Sequence, residues 1–350
     1  MKTVYIKTFG CAQNTADSER IKTYFKLDGY TEVENSDNAD VIVINSCIVR
    51  ESAENRVYGL VNRVKNKKII VTGCLVGLYE KKGKINELKR KMPDVDEFLP
   101  IEKISFDLEP IRNNKTAALI TISSGCNNFC SYCIVPFARG KEISRNMEEI
   151  LKEVDKAIEN GFSEVVLIGQ NVNSYGAETE TLVSMGKKRF KSMFPKLLEE
   201  VAKKPLTKIS FVSSNPWDFS DELIEVIAKN PNIDRLLHLP FQSGDNEILK
   251  KMNRGYTREE YLELVKKIKN KIANVRISTD VIIGFPGEDE KAFQNTVDLC
   301  KQVGFDIAYL NKYSPRSGTI SAKLYKDDIP QSEKKRRWNM LNELVNKKLS

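Results

Sequence analysis

The 350-residue chain has a single histidine, so a metal site in it has to lean on cysteine rather than imidazole. No apolar run approaches the roughly 20 residues that span a bilayer, which excludes a transmembrane helix and leaves no membrane partner to expect. The opening residues, "MKTVYIKTFG", lack a charged stretch followed by an apolar segment, so no secretory leader is expected. Internal repeats and low-complexity tracts are missing too. Seven cysteines make an odd number. Six of them fall in a pattern suited to metal rather than to disulfides, which favours a reducing setting and a cytoplasmic location.

Length and a hydrophobic content of 41% fit a globular chain of about two domains. The net charge of +8 fits an anionic partner such as nucleic acid without singling one out. Residues 331–350 are more strongly biased, with Lys334, Lys335, Arg336, Arg337, Lys347 and Lys348 against Glu333 and Glu343. They read as a basic C-terminal helix.

Short apolar runs alternate with amphipathic helical stretches along the chain, the pattern of α/β architecture with parallel strands. Residues 1–90 read as a parallel-sheet α/β domain with strands at 4–9, 40–45 and 68–72 and helices at about 16–27 and 51–65. The Pro- and charge-rich stretch 91–116 carries little periodicity and reads as a linker. From 117 to 330 the alternation restarts, with strands in "ALITI", "EVVLIG", "KISFVS", "RLLHL", "RISTDVIIG" and "DIAYLNKY". Six such units are too few for a closed eight-unit barrel of about 250 residues, so an open (β/α)6 partial barrel is expected. Its active rim would lie at the C-terminal ends of the strands.

The cysteines fall at those ends. Cys11 closes "VYIKTFGC", Cys47 closes "VIVINSC" and Cys74 closes "IIVTGC". Each follows an expected strand by a few residues, and loops at one edge of a parallel sheet can bring distant residues together. A lone cysteine after a strand is usually a small buried hydrophobe, but three successive strands ending this way point to a shared site. A second set, Cys126, Cys130 and Cys133 in "GCNNFCSYC", follows the first strand of the second domain. Cys300, in "AFQNTVDLCKQVGF", has no cysteine neighbour and lies on the apolar face of a helix. It is assigned to packing.

Zinc favours C-x2-C pairs closed by four N or S ligands. The spacing here is C-x3-C-x2-C, with no fourth cysteine or nearby histidine. A 4Fe–4S cubane offers four irons to thiolate, so three cysteines leave one iron open for a non-protein ligand. S-adenosylmethionine, chelating through its amino and carboxylate groups, suits that position.

At this point the text of the chain resembles a known family. C-x3-C-x2-C at the head of an open barrel is similar to the radical S-adenosylmethionine (radical SAM) superfamily. "TFGCAQNTADSE", "VINSCIVRESAENRVYG", "VTGCL", "GCNNFCSYCIVPFARGKEISR", "LIGQNVNSYG", "LHLPFQSGDNEILKKMNRGYTREEY", "ISTDVIIGFPGE" and "YSPRSGT" together resemble the methylthiotransferases over nearly all of residues 1–345. The resemblance is nearest to the MiaB-type branch, which acts on isopentenyl-adenosine in tRNA. It implies a transferase of tRNA processing with two 4Fe–4S clusters and S-adenosylmethionine as cofactors. Cys126, Cys130 and Cys133 would hold the radical-generating cluster, and Cys11, Cys47 and Cys74 an auxiliary cluster that carries the sulfur. A methylthio group would then be inserted at carbon 2 of the adenine beside the tRNA anticodon. The implied partners are the tRNA anticodon loop and an electron donor of flavodoxin or ferredoxin type, with the sulfur source left open.

The resemblance further implies that Gln170, Asn171, Ser213, Gln242 and Asp280, all expected at strand ends, contact S-adenosylmethionine or substrate. Ser, Asn and Asp at such positions also serve as helix caps and loop partners. Ser214 and His238 belong to the same expected rim, with His238 as readily a satisfied core histidine. Gly284 and Gly287 in "GFPGE" suit a close approach of backbone to ligand. Arg139, Lys141 and Arg145 read either as a basic patch for phosphates or as an ordinary solvated face. Family members continue into a small C-terminal β-barrel that grips RNA, and no such barrel is expected in the text ending "LNELVNKKLS". Two other readings stand beside this one. The first is the same chemistry on threonylcarbamoyl-adenosine or a ribosomal protein, and the second is a non-catalytic, zinc-stabilised RNA-binding module.

Overall fold

The computed structural model describes residues 2–49, 51–64, 66–104, 108–177 and 191–347. Strands β1 (Lys2–Thr8), β2 (Tyr30–Glu32), β3 (Val41–Ser46), β4 (Lys68–Gly73) and β5 (Glu97–Leu99) form one parallel sheet in the order β2-β1-β3-β4-β5. Helices α1 (Ala12–Leu27), α2 (Glu51–Arg63), α3 (Cys74–Lys81) and α4 (Ile85–Lys91) connect them. The run "VIVI" in β3 is buried on both faces because helices cover both. Val41 and Val43 pack with Ile21 and Phe25 of α1. Ile42 and Ile44 pack with Val57, Val61 and Leu75 from α2 and α3. This is the two-residue alternation of a strand between two helix layers. Strand order reverses between β1 and β3, and the loops beyond them flank the crevice where such folds bind ligands.

The stretch 91–116, expected as a linker, contributes β5, so the first sheet reaches Leu99. A three-residue strand beside prolines and charges has too little pattern to be read from sequence.

The second part carries β6 (Ala117–Thr121), a two-residue hairpin pair β7 (Ser123–Ser124) and β8 (Ile143–Ser144), then β9 (Glu164–Ile168), β10 (Lys208–Phe211), β11 (Leu236–His238), β12 (Arg276–Ile283) and β13 (Ile307–Lys312). β6-β9-β10 and β11-β12-β13 are parallel and run in chain order. A parallel bridge from Ile209 to Ile233 joins the two halves into six barrel strands. Around them lie α5 (Val135–Arg139), α6 (Met147–Glu159), α7 (Phe194–Ala202), α8 (Asp221–Lys229), α9 (Asn246–Lys251), α10 (Arg258–Lys271), α11 (Glu290–Val303), α12 (Ile320–Leu324) and α13 (Gln331–Val345).

Ile120, Leu167, Ile209, Leu237, Ile277 and Val281 share one core with Val154, Leu197, Ile224, Val265 and Phe293 of the surrounding helices. Their strand neighbours Thr121, Ser210, His238, Ser278 and Asp280 therefore face the opposite way, into the barrel.

Cys300, only 2% exposed, lies in this core on α11. Burial pushes its thiol up to about 12, so it stays a neutral packing group. Cys300→Ser should cost about 1–3 kcal/mol in a denaturation curve by burying a hydroxyl. Iron per chain should be unchanged, and a fall in iron would contradict the packing assignment.

Helix α13 corrects the expectation for the basic C-terminus. Lys334 is fully buried and donates to the Tyr313 carbonyl at 3.0 Å and to Asp327 at 2.6 Å. Arg337 is buried against Glu288 at 2.8 Å, and Arg336 pairs with Glu290 and Glu333. These cations bind the helix to the barrel instead of lining a surface for anions. Lys348 lies outside the described residues. Among the described residues, no helix is long and apolar enough to cross a membrane.

Candidate cluster sites

Cys11 is the N-cap of α1, Cys47 follows β3 directly, and Cys74 opens α3. Two fully buried asparagines lock the first two loops together. Asn14 accepts from the Cys11 backbone N–H at 3.3 Å and donates to Asn45 at 3.1 Å, while Asn45 donates to the Asn14 carbonyl at 2.8 Å. Gly73, with φ +89, sits against Asn45 and Ser46, where a Cβ would collide with both. Only glycine fits that left-handed position. Cys74 lies near enough to Cys47 and Cys11 for charge on any one thiol to be felt by it. Burial first, then those thiols, pushes Cys74 up to about 11, and the Arg139 guanidinium opposes the rise.

Arg139 is buried, contrary to its reading as a phosphate patch or a solvated face. It donates through Nε to Cys74 Sγ at 3.1 Å and through Nη2 to Asp17 at 2.6 Å. Burial works against its charge, but Asp17 and the thiols outweigh it and hold the guanidinium charged. Arg145 is also withdrawn from solvent, donating to the Thr121 carbonyl at 2.7 Å and to Glu153 at 2.6 Å. Lys141 alone of the three is exposed.

The second set follows the β7 strand. Cys126 donates its backbone N–H to the Gly140 carbonyl at 3.2 Å, and Cys133 donates its own to Cys130 at 2.9 Å. Burial raises the Cys126 thiol, as do the Cys133 and Cys130 thiols. Cys133 rises to about 12, chiefly through burial and then through Cys130, with a smaller contribution from Cys74 of the first set. The two sets therefore approach one another where α3 packs on α5. The approach is close because Gly77 lies against the Ala138 carbonyl, leaving no room for a Cβ.

A second buried arginine serves this set. Arg254 points Nη1 at Cys130 Sγ, 3.6 Å away, and bonds Asn215 Oδ1 at 3.0 Å and the Pro240 carbonyl at 2.9 Å. Its guanidinium lies 4.7 Å from the Trp217 ring centroid. The sequence reading missed Arg254. Its signal was an arginine in "KKMNRGY", among lysines that made it look solvated.

Among the described residues, no three His, Cys, Asp or Glu side chains are drawn onto one point to hold a single ion. A closed tetrahedral zinc site needs ligands gathered at about 2.3 Å from one centre. A cubane instead takes its thiolates on separate irons. Each set offers three free thiols, a donor set that suits the cubane with one iron left for a non-protein ligand.

The expected S-adenosylmethionine residues are placed as follows. Gln170, half-buried, and Asn171, fully buried, lie just beyond β9. Ser213 and Gln242 lie beyond β10 and β11 with φ of +69° and +67°, a strained conformation for side-chain-bearing residues. Asp280 is a correction: it sits inside β12 because the strand runs on through Val281–Ile283. It accepts from His238 Nε2 at 2.9 Å, and His238 Nδ1 lies 3.1 Å from Ser278 Oγ. This pair lines the barrel interior rather than the rim. Gly284 is another correction, since the stem of Lys334 occupies the space beside it where ligand approach was expected.

The β9 and β10 loops carry a rim rich in acceptors. Asn171 donates to Asp218 at 2.8 Å, and among the described residues its buried Oδ1 has no donor. Among the same residues the buried Oδ1 of Asn173 and Oγ of Ser214 are likewise unpartnered. Glu142, from the segment after Arg139, accepts from Ser174 Oγ at 2.7 Å. Burial, with Asp218 nearby, raises its carboxyl to about 7 against the opposing Ser174 bond. These acceptors and a carboxyl raised by burial fit a ligand that brings N–H and O–H donors and positive charge, as S-adenosylmethionine does.

The raised carboxyl has a stability consequence. Glu142 binds its proton more tightly folded than unfolded, so stability falls as pH rises from 4.5 through about 7. Glu142→Gln removes that slope, and the variant keeps on the order of 2 kcal/mol that the wild type loses. Urea midpoints at about pH 5 and about pH 8 measure it, and parallel shifts in both proteins would contradict the titration.

Six parallel barrel strands with a three-thiol loop after the first, beside a parallel sheet whose strand-end loops carry a second set, match the arrangement expected of a radical SAM protein. The radical SAM superfamily model matches residues 120–300, and a second model, described as uncharacterized protein family UPF0004, matches residues 3–99. A tRNA-2-methylthio-N(6)-dimethylallyladenosine synthase of Clostridium botulinum (strain Okra) is 43% identical, over 98% of this chain and 81% of its own. The Thermotoga petrophila protein of the same name is 41% identical over 99% of this chain and 83% of its own. Among solved structures, the radical S-adenosylmethionine methyltransferase TsrM of Kitasatospora setae, with cobalamin and a [4Fe-4S] cluster bound, aligns at a TM-score of 0.59. It is 13% identical, over 92% of this chain and 77% of its own, a likeness of fold. The chain belongs to the radical SAM superfamily and, within it, to the family of tRNA-2-methylthio-N(6)-dimethylallyladenosine synthases. It is an enzyme of 4Fe–4S and S-adenosylmethionine chemistry.

Proposed function

We propose that the protein inserts a methylthio group at carbon 2 of isopentenyl-adenosine beside the tRNA anticodon. The observation that carries this reading is the pair of three-thiol sets meeting across the α3–α5 contact, each with its own buried arginine. When bound, two 4Fe–4S clusters and S-adenosylmethionine supply the electron, the radical and the sulfur. The chain does the rest. Cys126, Cys130 and Cys133 hold one cluster, and Cys11, Cys47 and Cys74 hold the other. Gln170, Asn171, Ser213 and Gln242 at the rim, with Asp280 inside the barrel, position S-adenosylmethionine and the adenine.

Enclosure between the sheet domain and the barrel keeps water from a reactive intermediate. The base to be modified lies in an RNA loop, where it can turn outward into such a mouth. A flavodoxin- or ferredoxin-type donor in the cytoplasm would deliver the electrons.

Mass spectrometry of tRNA nucleosides from cells lacking and then regaining the protein tests the reading. The 2-methylthio derivative of isopentenyl-adenosine should vanish and return. Loss of methylthiolated threonylcarbamoyl-adenosine instead, or of a ribosomal-protein modification, would overturn the substrate assignment.

A further inference from the structure

We infer that Arg139 is a positioning residue through which the barrel domain completes the N-terminal cysteine site and sets the reduction potential of the cluster held there. The inference rests on the ligand assignment of Cys11, Cys47 and Cys74 proposed above. Arg139 belongs to α5, the helix that follows Cys133, yet it donates to the sulfur of Cys74, 65 residues away in the other domain. Its other arm is fixed by Asp17 of α1, and Asp17 also accepts from Gln13 Nε2 at 3.0 Å. Gln13 in turn reaches Thr121 of β6 at 3.4 Å. A continuous line of polar contacts therefore runs from Cys74 through Arg139, Asp17 and Gln13 to the first barrel strand. All of these side chains are buried.

The geometry assigns the arginine a direction of effect. Reduction adds negative charge to a cluster, and a guanidinium donating to one of its sulfurs stabilises the reduced form more than the oxidised form. Asp17 offsets part of that charge and fixes the fork so that Nε faces sulfur. Arg254 stands in the same relation to Cys130 on the other set, so each cluster has its own cation. The two potentials are therefore set separately, although the sites are neighbours.

Potentiometric titration followed by electron paramagnetic resonance, with iron counted per chain, tests this. In Arg139→Gln the auxiliary couple should move to more negative potential while the other couple stays in place, and Arg139→Lys should shift it less. Arg254→Gln should give the reciprocal pattern. An auxiliary couple unmoved in Arg139→Gln at full iron content would overturn the inference. If Arg139→Gln fails to fold, Arg139→Lys decides: a negative shift supports the role, and none refutes it. Iron content of the Cys11/Cys47/Cys74 triple alanine variant judges the underlying assignment separately. Undiminished iron there would sink the ligand set, whatever the arginine variants do.

Discussion

Cys130→Ala should abolish reductive cleavage of S-adenosylmethionine, whereas Cys47→Ala should leave cleavage intact and yield no methylthio product. The contrast follows from the separation of the two sets. Cys130 stands with Cys126 and Cys133 on one loop, and Glu142 is near enough to help push the Cys126 thiol up. Under the proposed assignment, removing it takes one of three thiolates from the radical-generating cluster. Cys47 sits across the α3–α5 contact beside Cys74 and Cys11. Its loss leaves the barrel loop and its rim untouched. The expected effect on each affected step is complete loss, read by liquid chromatography of 5′-deoxyadenosine and by nucleoside analysis. Methylthio product from Cys47→Ala at the wild-type rate would show that the N-terminal thiols carry no sulfur-bearing cluster.

The largest effect on stability should come from Glu153→Gln. Glu153 on α6 accepts from Arg20 of α1 at 3.0 Å, from Arg112 at 2.9 Å and from Arg145 at 2.6 Å, and none of these side chains is more than 10% exposed. One carboxylate thus holds together the N-terminal domain, the connecting segment and the cluster loop. Amidation leaves three guanidiniums in low dielectric without the negative charge between them. Breaking a buried pair in this way costs about 3–5 kcal/mol, and the denaturation midpoint should fall accordingly. Arg20 already shows the strain: burial works to lower its pKa, Arg145 and Arg112 add to that, and Glu153 opposes it. An unchanged midpoint would show that water reaches this network and screens it.

Much of the fold was legible because it follows from short-range pattern. β3 and β4 are continuous buried runs, and the barrel strands alternate with amphipathic helices such as α6 and α11. β2 and β5 were not legible, since three-residue edge strands are made by pairing with a neighbour and not by their own sequence. The cysteine positions were visible because each follows a strand that ends in a loop. What surrounds them was not. Arg139 read as a phosphate patch or a solvated face, and Arg254 and Glu153 drew no reading, because a single charged residue gives no sign of a partner 65 or 124 residues away. The basic tail misled for the same reason: Lys334 and Arg337 are charged in sequence and buried in the fold. Asp280 was grouped with the strand ends although the strand read there, "RISTDVIIG", already runs past it, and β12 carries it inside the barrel.

The central claim is that this chain builds two separate three-thiol cluster sites. Iron and acid-labile sulfide measured per chain after anaerobic reconstitution test it most directly, on the wild type and on each triple alanine variant. The account predicts about eight irons in the wild type and about four in either triple variant, with matching sulfide, because each cubane holds four. Zinc without sulfide, or equal iron in all three proteins, would contradict it.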